Sequence, residues 1–269
     1  MGQRKKIYGR VIALAAMSAI CLSGCTGVTA KKLVKEAGNN IEKEDSFANR
    51  VNLDIKVEGI VDTMEVSMEM DMESSSKPRA GHAKGTAHVN MHGAEVSSEI
   101  EIYQVTEGEE FVTYSSIYDQ WTREAAPDSA SITVDENFFH SAQDAMQDFH
   151  VAKETVEVEG KQCYQMYGNI PCRELTEFLG KDMIYAFGLL ELPDMEKVEE
   201  MEIPVTLDIY KDEILPARLI VDMREAVNDL YASLGETEEV DDFTIQLIFK
   251  DYGQISDITV PREIKENAG

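Results

Sequence analysis

The thiol of Cys25 is the side chain whose surroundings point most clearly to covalent chemistry. It follows an apolar run of twelve residues, 11–22, which is itself preceded by four cations: Arg4, Lys5, Lys6 and Arg10. A membrane-spanning helix needs about 20 apolar residues, so this run is too short to stay in the membrane as an anchor. A basic stretch followed by a short apolar run is typical of a secretory signal. The sequence therefore predicts that the chain is exported.

The residues that end this run, Leu22-Ser23-Gly24-Cys25, resemble the lipobox of bacterial lipoproteins. The resemblance implies a diacylglyceryl group on the Cys25 thiol and cleavage between Gly24 and Cys25. Residues 1–24 would then be a lipoprotein signal peptide and residues 25–29 a lipidated tether. Two acyl chains hold a protein firmly, since each buried CH₂ contributes roughly 0.8 kcal/mol. The alternative is an ordinary signal peptide with an incidental cysteine.

The charge of the chain limits its partners. It has 25 basic and 51 acidic residues, a formal charge of −26, and loss of the signal removes four basic residues and no acidic ones, leaving −30. Nucleic-acid binders need a basic patch, so nucleic acid is excluded as a partner. The same excess opposes adsorption of the protein body to anionic lipid. We interpret it as a source of solubility; an acidic binding site is the alternative.

Two cysteines, Cys163 and Cys172, remain after Cys25 is lipidated and the signal is removed. They are nine residues apart, and Pro171 comes just before the second. Exported proteins meet conditions that permit disulfides, so this spacing is compatible with a bridge between a strand and the next helix. It is equally compatible with two buried thiols, and it is not a zinc signature.

Neither the histidines nor the acidic run predicts a metal site. His82, His88 and His92 share one face of a predicted strand, where His88 and His92 would be about 13 Å apart, too far for one zinc ion. The acidic run 236–242 lacks the calcium-loop pattern and predicts a solvated hairpin loop. Gly-x-Ser-x-Gly and His-Glu-x-x-His motifs are also missing. We expect no metal, no cofactor and no enzymatic activity.

The apolar periodicity predicts a leading helix and then a long antiparallel meander. Thr29 can cap a helix over residues 30–43. From residue 51 the apolar residues recur at every second position, which indicates strands with one buried face and one wet face. Six strands are expected up to Trp121, and residues 74–78 are expected to form a loop.

The second half of the chain predicts helices and strands in alternation. Helices are expected over residues 135–149 and 172–190, on either side of a hairpin at 154–167. Three strands then close the chain, at 203–210, 217–223 and 243–249. The last residues, 258–264, read as an extended end.

One face of the second and third predicted strands is unusually rich in methionine. Its residues alternate with acidic and polar ones along the two strands: Met64, Val66, Met68, Met70, Met72 and Met91. Methionine adapts to irregular apolar shapes, so this face could be a pliable lining that binds lipid or another hydrophobic ligand. The alternative is that the two mid-chain helices simply pack on it.

This order of elements resembles the half-barrel lipoprotein carriers of the LolA and LppX/LprG type, and more closely a set of LolA-like lipoproteins from Gram-positive bacteria. The supporting motifs are Trp121-Thr122, residues 207–218 and residues 258–264. The resemblance implies an α+β fold in a single domain over residues 30–269. In that fold a strongly curved antiparallel β-sheet, a half-barrel, has helices covering its concave face. No catalytic or binding residue can be transferred from the family.

These features predict a non-enzymatic lipoprotein on the extracytoplasmic face of the cell membrane that binds or carries a hydrophobic ligand. The alternative is a cell-envelope interaction protein with a filled core and a protein or wall partner. An apolar space of several hundred Å³ would favour the first. A filled interior with an exposed apolar patch would favour the second.

Overall fold

A single antiparallel sheet of 12 strands organises the part of the chain that the computed structural model describes, residues 27–59, 63–117, 120–125, 144–174 and 200–269. The strands are β1 (Ser46–Glu58), β2 (Thr63–Ser76), β3 (Arg79–Met91), β4 (Ala94–Glu107), β5 (Glu110–Ile117), β6 (Gln120–Ala125), β7 (His150–Val151), β8 (Val156–Val158), β9 (Lys161–Pro171), β10 (Glu202–Tyr210), β11 (Pro216–Asp222) and β12 (Glu239–Lys250). Their order is β6-β5-β4-β3-β2-β1-β12-β11-β10-β9-β7, with β8 paired to β9. This path ends at β6 and β7, so the sheet that the described residues form is open. The expected antiparallel sheet is confirmed.

The first four strands form a long meander, and β1 begins at Ser46, before the alternation that starts at residue 51. Each has 13 or 14 residues. The loop expected at 74–78 is wrong for its first three residues, because β2 stays paired with β3 as far as Ser76 opposite Arg79. The Ser76 amide also donates to the Asp45 carbonyl at 2.9 Å. The turn between the two strands is therefore confined to Lys77 and Pro78.

Two described helices contribute to the main core. Helix α1 (Ala30–Ile41) begins where expected, since the Thr29 side chain accepts a hydrogen bond from the Lys32 amide at 3.3 Å. Helix α2 (Arg224–Leu234), which the sequence did not predict, connects β11 to β12 and ends at Gly235 in a left-handed conformation. The buried residues of both helices belong to one cluster with the apolar residues of β1, β2 and β9–β12. None of the helices in the described residues has the length and apolar character needed to cross a bilayer.

The two helices expected in the middle of the chain fall mostly outside the described residues. Short helical turns at 144–146 and 172–174 are described, and Met146 and Phe149 are buried in the main core. Helices covering the concave face of the sheet are thus not confirmed.

The C-terminal residues pack on the face of the sheet opposite the main core. Tyr103 and Val105 of β4 alternate with Ile100 and Ile102, so they point away from the main core. There they form a second apolar cluster with Ile258 and Val260, the described extended end, and with Ile264. Ile264 belongs to α3 (Arg262–Asn267), so the extended end expected over residues 258–264 is wrong for its last three residues.

An ionic network attaches α3 to the sheet. Lys265 binds Glu107, and Arg123 approaches the same carboxylate at 3.3 Å. The Tyr114 hydroxyl also donates to it at 3.1 Å. The Lys265 hydrogen bond is the main reason that the pKa of Glu107 is lowered, despite an opposing effect of burial. A charged Glu107 therefore helps to fix the C-terminal residues.

Candidate functional site

The six residues singled out on β2 and β3 do share one face of the sheet, which we call the inner face. The register pairs Met64 with Met91 and Val66 with Val89, and Met68, Met70 and Met72 follow at every second position. Neighbouring β1 supplies Leu53 and Val51 opposite Met68 and Met70. The inner face is therefore a continuous apolar surface across several strands.

Burial along the inner face is graded. Met70 and Met72 are 6% and 5% exposed and belong to the main core. Met64, Val66 and Met68 are half-buried. Met91 is 46% exposed, and Val96 on β4 is 49% exposed. The inner face is thus filled at one end and open at the other.

The open end is built from two rungs of paired residues. The first rung crosses four strands with Ile55, Val66, Val89 and Val96, and the second begins with Val57, Met64 and Met91. Every one of these side chains is aliphatic or a thioether. Such a surface can bind through apolar burial and dispersion, and contiguous exposed apolar surface marks interaction sites. Within the described strands, the two rungs offer a ligand no hydroxyl, thiol, amine or carboxylate.

The outer face, which is the opposite surface of the same strands, carries a polar trough. One cavity of about 510 Å³ lies over β12, β1, β2, β3 and β4, and a second of about 360 Å³ adjoins it, sharing Asp54, Ser67 and His88. The side chains that line the larger one include Asp54, Lys56, Glu65, His88, Asn90, Glu95 and Asp242. Partial burial, reinforced by the charge of Asp242, raises the pKa of Asp54. The charged and amide side chains of the trough can hydrogen-bond to a polar partner.

His82 and His88 make side-chain contacts on the outer face. His82 stacks on Tyr103 with ring centroids 4.2 Å apart, and its Nε2 lies 3.1 Å from Glu101. Partial burial alone would raise the pKa of Glu101, but hydrogen bonds from His82, Tyr103 and Lys84 outweigh it and lower that pKa. His88 lies 2.7 Å from the Ser97 hydroxyl. Across the described ranges, no group of three His, Cys, Asp or Glu side chains could hold a metal ion.

The acidic run at 236–242 does not form one solvated loop. Its second half belongs to β12, which begins at Glu239. A register shift in the pairing of β1 with β12 leaves Asp241 without a partner residue on β1, and its carboxylate binds Lys56 at 2.6 Å. The prediction of a hairpin loop is therefore wrong for residues 239–242, because cross-strand pairing includes them in the sheet.

Cys163 and Cys172 are both buried, and no disulfide joins them. Cys163 lies near the start of β9 and Cys172 just past its end. Nine residues of extended chain span about 30 Å, whereas a disulfide needs Cα atoms less than about 7 Å apart. Burial, followed by the charge of Asp208, raises the pKa of Cys163 to about 11. This thiol is therefore protonated and unreactive at neutral pH.

Two buried polar residues escaped the sequence interpretation. Asp208 on β10 is fully buried and paired with Arg218. Asn49 on β1 is 1% exposed on the inner face. The signal for both was a polar residue within an apolar stretch of a strand.

Comparison with models of protein families gives one match. One family model, described as a family of unknown function, matches residues 29–269. No curated protein matches the chain. The described residues do not include Cys25, so its lipidation stays a prediction.

Three solved structures are similar to the chain at low identity. A LolA superfamily protein from Nitrosomonas europaea is 12% identical, covering 88% of this chain and 97% of its own, with a TM-score of 0.20. A DUF1329 family protein from Desulfovibrio piger is 8% identical, covering 87% and 96%, with a TM-score of 0.25. A beta-barrel-like protein of the DUF1849 domain from Brucella abortus is 8% identical, covering 77% and 99%, with a TM-score of 0.25.

Proposed function

The chain belongs to the family of unknown function DUF6612, and we propose that it is a lipid-anchored extracytoplasmic protein that holds a hydrophobic ligand. The binding surface is the open end of the inner face. The observation that supports this function is the gradient along β2, from the buried Met72 to the half-buried Met64 beside the exposed Met91. The lipoprotein would be of the LolA-like kind that the sequence resembles.

Physical chemistry favours a ligand at the open end. Apolar surface exposed to water is unfavourable by roughly 25 cal/mol per Å², and a ligand that covers Val66, Val89 and Val96 removes that penalty. Methionine side chains can adjust to ligands of different shape. Since the described side chains of the open end are aliphatic or thioether groups, this surface would bind a molecule without transforming it. Carriage rather than catalysis is the function that this surface supports.

A matched pair of double variants tests the inner face. The variant Met64→Gln with Met68→Gln should bind the fluorescent probe N-phenyl-1-naphthylamine at least about tenfold more weakly, because burying unpaired amides is unfavourable. The control, Glu65→Gln with Glu69→Gln, introduces two glutamines on the outer face of β2 instead. It should bind the probe like the wild type. Titration of probe fluorescence measures both. Equal probe affinities in the two variants would remove the inner face as the binding surface.

The membrane anchor is tested at Cys25. The Cys25→Ala variant should appear in the soluble fraction, because no thiol remains to receive the lipid, whereas the wild type should stay in the membrane fraction. Cys21→Ala is the control, since Cys21 would leave with the signal peptide, and this variant should remain anchored. Intact mass should place the mature N-terminus of the wild type at a lipid-bearing Cys25. A Cys25→Ala protein still fixed in the membrane would contradict the anchor.

The polar trough supports a second candidate function, an envelope protein that binds a protein or wall partner. A cavity of about 510 Å³ on the outer face is large enough for a polar chain, and its lining offers carboxylates, an amide and an imidazole. Here the inner face would be filled by the protein itself. A purified protein that binds no hydrophobic probe but co-sediments with purified cell wall would favour this function over ligand carriage.

A further inference from the structure

One residue interrupts the apolar pattern of the inner face near its filled end. Asn49 on β1 is in the same alternating phase as Val51 and Leu53. Its cross-strand partners are Met72 on β2 and Phe249 on β12. The side chain is 1% exposed, and among the described residues neither its Nδ2 nor its Oδ1 has a hydrogen-bond partner. A complete amide group is thus buried with an unused donor and an unused acceptor.

Such a group needs a partner. Nearly all buried polar groups in folded proteins are hydrogen-bonded, and leaving one unpaired is costly. A buried water is the simplest partner, but ordered waters usually make about three hydrogen bonds. The side chains next to Asn49 on this face are apolar, namely Phe47, Val51, Met72 and Phe249. A water held there would find few bonds besides those to Asn49.

We propose that Asn49 binds the polar head of the hydrophobic ligand, an inference that rests on the proposed function. Its Oδ1 accepts from the ligand, and its Nδ2 donates to it. The ligand class is therefore a long alkyl chain ending in a small group that both donates and accepts, such as a primary amide, a carboxylic acid or an alcohol. A bare hydrocarbon would leave Asn49 unpaired.

The methionines connect Asn49 to the open end. Met72 lies opposite Asn49, and the stripe runs through Met70 and Met68 to Met64, eight residues or about 26 Å along β2. A long alkyl chain can lie along this stripe with its head at Asn49. Entry requires Met70 and Met72 to change rotamer, which unbranched thioethers do readily. The burial of Asn49 then excludes water from its hydrogen bonds with the ligand.

Two ligands that differ only at the head test this inference. Hexadecanamide and hexadecane are used to displace N-phenyl-1-naphthylamine from the wild type and from Asn49→Leu, which has a similar volume. The wild type should prefer hexadecanamide to hexadecane. Asn49→Leu should bind hexadecanamide about tenfold more weakly than the wild type does, with its affinity for hexadecane unchanged. The control is Asn52→Leu on the outer face, where the Asn52 amide bonds Gln246 at 3.3 Å. This variant should keep the wild-type preference.

The outcomes separate the two proposals. If the wild type binds the probe but Asn49→Leu keeps the preference for hexadecanamide, the role of Asn49 is wrong and ligand carriage stands. If the wild type binds neither probe nor ligand, the proposed function fails, and the role of Asn49 fails with it. If Asn49→Leu does not fold, the NMR resonances of the Asn49 side-chain amide in the wild type provide the test. They should shift with hexadecanamide and not with hexadecane, and equal responses would overturn the inference.

Discussion

Replacing Arg218 with methionine is expected to lower the free energy of unfolding by about 3–5 kcal/mol. Asp208 is 0% exposed, and Arg218 donates to its Oδ2 from Nε at 2.8 Å and from an Nη atom at 2.7 Å. Gln165 donates to the other oxygen at 3.0 Å. Without Arg218 the carboxylate would be buried with an amide as its remaining partner. Denaturation in urea measures the loss.

The chain contains a matched control for this substitution. Arg50 makes the same kind of bond to Asp71, at 2.9 and 3.2 Å. Ile248 of β12 lies between the two arginines as the cross-strand partner of both, so they occupy one row of the outer face. The Arg50–Asp71 pair is solvent-exposed, and Arg50→Met should therefore cost about 0–1 kcal/mol. Similar losses in the two variants would show that the burial of Asp208 does not determine the effect.

The parts of the fold that the sequence predicted correctly are those with a local signal. Thr29 precedes a run with an apolar face, and α1 begins there. Alternation specifies β1–β4, and the turn between β3 and β4 falls at His92 and Gly93, both at positive φ. Each of these signals lies within a few residues of what it determines. Such signals remain readable without knowledge of the tertiary structure.

The pairing of distant strands had no such signal. Strand β12 pairs with β1 across almost the whole chain, and this pairing joins the first meander to the last strands. Apolar alternation says that a strand has a buried face, but it does not say which strand lies beside it. The helices α2 and α3 were missed for a related reason, since each has few buried residues and the packing of the sheet stabilises them.

Prediction of the candidate site from the sequence has the same limit. Met72 and Met91 occupy equivalent positions in the alternation, yet one is 5% and the other 46% exposed. Their difference depends on which elements cover each end of the sheet, and periodicity carries no information about that. Asn49 carries a sequence signal that the interpretation did not use, because it is a polar residue in the apolar phase of β1. Its lack of a partner became visible only with the positions of its neighbours.

Replacing Gly85 with alanine is expected to destabilise the protein by about 3 kcal/mol, at the upper end of the usual range for overpacking. A Cβ at this position would overlap the carbonyl oxygen of Glu69 and come within 2.7 Å of the Met70 Cα. These are backbone atoms of the paired strand β2, so a change of rotamer cannot relieve the overlap. The strands β2 and β3 would have to separate where Met70 enters the core. Thermal and urea unfolding measure the effect.

Gly168 on β9 provides the comparison, because a side chain alone obstructs it. The three atoms nearest to a Cβ there all belong to the Phe149 ring, the closest at 2.5 Å. Gly168→Ala should cost about 1–3 kcal/mol in the wild type and much less in a Phe149→Leu background, where the ring is gone. Gly85→Ala should keep most of its cost in a Met70→Ala background, because the Glu69 carbonyl remains. Rescue of Gly85→Ala by Met70→Ala would show that side-chain crowding, rather than the close approach of two backbones, requires glycine at this position.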